Sequence, residues 1–62
     1  MNVQNFIFFN KQKEIFLGSI TNHINKMESS HPDNERAVTV LREALDQVDT
    51  KLTHIILRLV SE

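Results

Sequence analysis

His23, His31 and His54, with the carboxylates Glu43, Asp46 and Asp49, are the side chains whose types could carry chemistry. Imidazoles can hold a metal ion or move a proton near neutral pH. Paired carboxylates can divide acid and base roles when their environments differ. The spacing argues against both uses. None of the histidines has a second histidine or carboxylate placed to share its helix face and converge on one ion. Glu43, Asp46 and Asp49 recur every third residue along one helical run, which suits a solvated outer face. There is no cysteine, so thiolate metal sites and disulfides are excluded. No glycine-rich phosphate loop or nucleophile elbow occurs. Neither an enzyme nor a metal or other cofactor is expected.

The elements that carry these residues are helices. From Arg36 to Val60 the apolar residues Val38, Leu41, Leu45, Val48, Leu52, Ile55 and Leu59 alternate at three and four. That alternation defines a narrow seam along one side of a helix, able to meet another helix at each turn. No proline or glycine interrupts it, and Ala37, Arg42, Ala44 and Leu45 favour helix.

Upstream, Phe6-Ile7-Phe8-Phe9 would suit a strand in isolation. Phe6, Phe9, Phe16, Ile20 and Met27 nevertheless keep a helical spacing, with Lys13 and His23 as polar exceptions and Leu17 and Ile24 widening the face. The pattern predicts a first helix starting near Val3, or at Asn10 if that residue caps a shorter one. Gly18 falls in its middle, at a cost of about 1 kcal/mol relative to alanine. Such a glycine usually admits a neighbouring backbone, although an ordinary surface position is the alternative.

Ser29-Ser30-His31-Pro32-Asp33 is the one turn signal. A residue before proline is pushed out of the helical region, so His31 should end the first helix. Pro32 suits the first turn of the next, and Ser30 with Asp33 has capping-box spacing. So short a connection makes the helices antiparallel neighbours. The expected fold is all-α, one hairpin domain over residues 1–62, with helix 1 at about 4–28, the turn at 29–33 and helix 2 at about 33–60.

Folding about Ser30 sets Ile24 near Val38, Ile20 near Leu41, Phe16 near Leu45, Phe9 near Leu52 and Phe6 near Ile55. Gly18 then falls near Ala44, two small residues that would allow close approach. The expected hairpin core is Phe16, Ile20, Ile24, Val38, Leu41, Leu45, Val48 and Leu52. The turn end is polar, whereas Phe6 to Phe9 and Ile55 to Val60 are apolar nearly all round. A helix apolar all round is a buried helix, so this end should be covered from outside the hairpin. Phe6, Phe9, Ile55, Ile56, Leu59 and Val60 are the expected partner-binding residues. On that reading Ile56→Asp breaks association while sparing much of the helix.

Length and charge bound the partners. A 62-residue chain is marginal without staples or association, because it buries only roughly 60% of its unfolded surface. Seven basic and eight acidic residues, with no basic cluster, argue against a nucleic-acid surface. No apolar run reaches the length of a membrane span. The start lacks the positive region of a secretory signal, and Phe6 to Phe9 is too short for its apolar core. A cytoplasmic protein is expected.

Pro32-Asp33-Asn34-Glu35-Arg36, then Thr39 through Asp49 with its Leu41-Arg42-Glu43-Ala44 core, then Ile55-Ile56-Leu57-Arg58-Leu59, resembles the C-terminal helix of a known family. That family is the small co-chaperones of type III secretion needle subunits, antiparallel helical hairpins of about this length. The likeness covers roughly half of the chain; helix 1 matches only in pattern, and the Phe6 to Phe9 segment departs from the family. The resemblance implies a bacterial cytoplasmic protein that packs on a larger, tetratricopeptide-like chaperone. Together they would keep a needle subunit monomeric before export. From the residues alone a second reading stands beside it. Two hairpins would form a homodimeric or tetrameric bundle, serving as a regulatory adaptor or a nucleotide or nucleic-acid scaffold.

Overall fold

The first helix begins as soon as a cap is available. In a computed structural model, which describes residues 2–61, α1 runs Val3–Ser30. The Asn2 side chain accepts a hydrogen bond from the Asn5 backbone N–H at 3.1 Å, satisfying an otherwise unpaired donor of the first turn. Phe6 to Phe9 is therefore helical, and Asn10 lies well inside the helix. The Asn2 N–H also donates to the Val60 carbonyl at 3.2 Å, fastening the start of α1 to the end of α2.

At the other end, α1 runs on to Ser30, and His31, with φ −134° and ψ 68°, takes the non-helical backbone that a following proline imposes. The Asn34 N–H donates to the His31 carbonyl at 3.0 Å, closing a four-residue turn with Pro32 at its second position. α2 is Glu35–Ser61. Pro32 thus serves the turn and not the first turn of α2. The carbonyl of Asn34 accepts from Val38 N–H at 3.1 Å, so Asn34 holds the N-cap position, in place of the expected Ser30–Asp33 box.

The two helices pack side by side as an antiparallel hairpin. Three cross-links fix the direction: Asn2 to Val60 at the open end, Lys13 to Asp49 in the middle, and Arg42 to Asn25 and Glu28 toward the turn. The axial pairing is the one obtained by folding about Ser30. Rotation about the helix axes differs. Leu17, Ile24, Val38, Ile56 and Val60 are the buried side chains. Phe16, Leu41 and Val48, expected in the hairpin core, are 54%, 40% and 40% exposed. Ile20, Leu45 and Leu52 are half-buried.

The core is thin, and polar groups complete it. Lys13 Nζ lies 2.8 Å from Asp49 Oδ1 and donates to Thr53 Oγ1 at 3.0 Å. Arg42 donates to Asn25 Oδ1 at 2.9 Å and pairs with Glu28 at 3.2 Å. Gly18 does not mediate close approach: a Cβ built there meets nothing within 4 Å. The Cα trace measures 46 × 16 × 8 Å, a ribbon two helices wide and one deep. No helix among the described residues is long and apolar enough to cross a membrane.

Candidate protein-docking face

A ribbon of two helices has two broad sides, and here they differ in chemistry. Successive residues of an α-helix turn by about 100°, so positions three and four apart stack on one side. With Leu17 and Ile24 of α1 turned toward Val38 and Ile56 of α2, that geometry assigns every other position. One side gathers the charges. Glu14, Gly18, Asn22, Arg42, Asp46 and Asp49 line a shallow open groove between the helices there. Asp49 of that lining pairs with Lys13, whose side chain is only 8% exposed.

The hydrogen bond from Lys13 holds the Asp49 carboxyl below its ordinary value, aided by the ammonium charge and the Thr53 hydroxyl. The same bond raises the Lys13 ammonium above its ordinary value, against the cost of covering it. This is a structural ion pair. Among the described residues no three His, Asp or Glu side chains come together to hold a metal ion.

Among the described residues the other side is mostly apolar, with the exposed Lys51, seven residues beyond Ala44, at its margin. On α1 the stripe is Asn5, Phe9, Gln12, Phe16, Ile20, His23 and Met27, and on α2 it is Ala37, Leu41, Ala44, Val48, Leu52, Ile55 and Leu59. Its large apolar members are open to solvent: Phe9 37%, Phe16 54%, Met27 37%, Leu41 40%, Val48 40%, Ile55 50% and Leu59 55%. Protruding phenylalanine, leucine and isoleucine side chains grouped in this way make it the candidate docking face.

The six residues expected to bind a partner divide accordingly. Phe9, Ile55 and Leu59 lie on this open face. Phe6 is half-buried at the open end. Ile56 and Val60 are 7% and 5% exposed and belong to the hairpin interior, because α2 turns the Val38–Ile56–Val60 line, not the Leu41–Val48–Ile55 line, toward α1. Exposed apolar residues accordingly run along the length of one face and are not confined to the open end, while Val3, Ile7, Phe8, Ile15 and Val40 are exposed outside it. Phe16, Met27, Leu41 and Val48 join the candidate surface.

Searches against protein-family models, curated proteins and solved structures give no match to this chain.

Proposed function

We propose that this chain is a non-catalytic protein-binding hairpin that completes a helical bundle with a larger partner. In its specific form it is a co-chaperone that packs on a helical-repeat chaperone and helps keep a secretion needle subunit monomeric in the bacterial cytoplasm. The observation that carries the general reading is the apolar face bearing Phe9, Phe16, Leu41, Val48, Ile55 and Leu59, all exposed on a chain with a thin core of its own. The specific form draws on the likeness of Pro32 to Leu59 to that co-chaperone family. The mechanism is burial. The hairpin supplies two amphipathic helices whose open face the partner's helices cover, as a helix docks in a groove.

The test is a pull-down of tagged protein from its native host, with the co-purifying proteins identified by mass and the same experiment repeated with Val48→Glu. A helical-repeat protein recovered with a small needle-type subunit, and lost with the variant, is the expected result. Recovery of the protein without such a partner overturns the co-chaperone reading.

A further inference from the structure

The two helices repeat one another's pattern. At an offset of 32 residues, Thr21 matches Thr53, Ile24 matches Ile56 and Ser29 matches Ser61, while Glu14, Ile20 and Lys26 meet Asp46, Leu52 and Arg58. Burial follows this correspondence at three pairs, with Ile24 and Ile56 both buried and Thr21 with Thr53, and Ile20 with Leu52, half-buried, but not at Leu17 and Asp49 or at Glu28 and Val60. On the open face Phe9 at 37% corresponds to Leu41 at 40%, Phe16 at 54% to Val48 at 40%, and Met27 at 37% to Leu59 at 55%. In an antiparallel hairpin, two equivalent helices are related by a two-fold axis perpendicular to the ribbon, here passing near Phe16 and Val48. At these three pairs the apolar face therefore has an approximate two-fold symmetry of its own, which His23 opposite Ile55 breaks.

We infer that this face is an interface between two copies of the chain, which pair face to face as a four-helix bundle before any other partner is met. A surface with an internal two-fold presents the same stripes in both directions, so a copy turned over onto it meets a matching pattern. The centre of the face, between Phe9, Phe16, Leu41 and Val48, bears no charge, and Lys51 lies at its margin, so self-pairing sets no like charges against each other in the middle of the interface. The size also fits. An extent of 46 by 16 Å is a footprint of about 740 Å², close to the roughly 800 Å² per partner of a stable interface. The gain falls where the single hairpin is weakest, since the second copy supplies the layer its core lacks.

Sedimentation equilibrium of the purified full chain, with no other protein present, tests the inference. The expected species is twice the 7.2 kDa chain. Val48→Glu and Phe16→Glu each place a charge in the interface twice over and should weaken association by at least ~100-fold, with helix content by circular dichroism retained. Asn22→Glu, on the groove side, should leave it unchanged. A second measurement on the wild type covers the case of variants that fail to fold. In a mixture of isotope-labelled and unlabelled chains, intermolecular NOEs should connect the Phe9 and Phe16 rings to the methyls of Leu41, Val48 and Leu59. A monomer at micromolar concentration, an open series of larger assemblies, or intermolecular NOEs confined to Ile15 and Val40 overturns the inference. A monomer that still captures a helical-repeat chaperone would leave the co-chaperone reading standing while removing this one.

Discussion

Lys13 Nζ and Asp49 Oδ1, 36 residues apart in the chain, meet at 2.8 Å between the two helices. An ion pair inside a hairpin interface contributes less to stability than to choosing the arrangement, since both charges lose hydration to meet. Its partners sit level along the hairpin and admit one rotation of α2: the one that brings Asp49 and Thr53 inward beside Ile56, leaving Val48 and Ile55 outside. Lys13 with Asp49 explains why the more apolar line of α2 is the exposed one.

This pair should write itself into the pH dependence of stability. Asp49 is held below its ordinary value of 3.8 by the Lys13 hydrogen bond, so its contribution is full above that value and is lost as pH falls through the lower, folded-state value. Lys13 is raised above its ordinary 10.5 by the Asp49 hydrogen bond, so its contribution is full below that value and is lost as pH rises through the higher, folded-state one. Urea titrations across pH should therefore show wild type and Asp49→Asn differing most on the plateau between these limits and converging in acid below 3.8. A difference constant down to the lowest pH would mean that the pair is not formed.

How much of this fold was readable before any coordinates depends on which degree of freedom is asked about. Helix type, antiparallel direction and axial pairing followed from the apolar spacing, Pro32 and the short connection. Rotation did not. Val38, Leu45 and Leu52 belong equally to two seams, one continuing through Leu41, Val48 and Ile55, the other through Arg42, Asp49, Thr53 and Ile56. Ranking by hydropathy selects the first, and the hairpin uses the second, where Lys13 on α1 meets its polar partners Asp49 and Thr53. The cross-helix match of Lys13 to Asp49 and of Glu28 to Arg42 was the signal that could have chosen between them.

That rotation makes Ile56 the residue to truncate. At 7% exposure between the helices it should lose about 2–5 kcal/mol as Ile56→Ala, enough to unfold a hairpin with so small a core. Ile56→Asp should abolish helix content, contrary to its expected role as a partner contact. Ile15→Ala, at 59% exposure on the outer side of α1, should change stability by no more than about 0.5 kcal/mol. Thermal melts by circular dichroism separate the two; equal losses would show that α1 is turned differently.

Asn2 is predicted to matter more than its place near the chain start suggests. Removing the side chain that caps α1 as Asn2→Ala should cost about 1 kcal/mol and loosen the first turn. Hydrogen exchange at the Asn5 amide, which donates to Asn2 Oδ1, should accelerate, while amides around Ile24 stay protected. Unchanged exchange at Asn5 would place the working start of the helix nearer Asn10, the alternative that the sequence left open.

Gly18 gives the opposite kind of prediction, a substitution that improves the protein. Its sequence position suggested a close contact with Ala44, yet a Cβ there meets nothing within 4 Å, and the residue is exposed on the groove side of the hairpin. With helical backbone already adopted and no neighbour to displace, Gly18→Ala should stabilise by roughly 0.5–1 kcal/mol, through the freedom glycine loses on folding. The gain should appear as a higher urea midpoint at unchanged slope. Association should be unaffected, because Gly18 lies away from the apolar face. A destabilised Gly18→Ala variant would mean that another backbone packs into the groove in solution, and would move the search for a partner to that side.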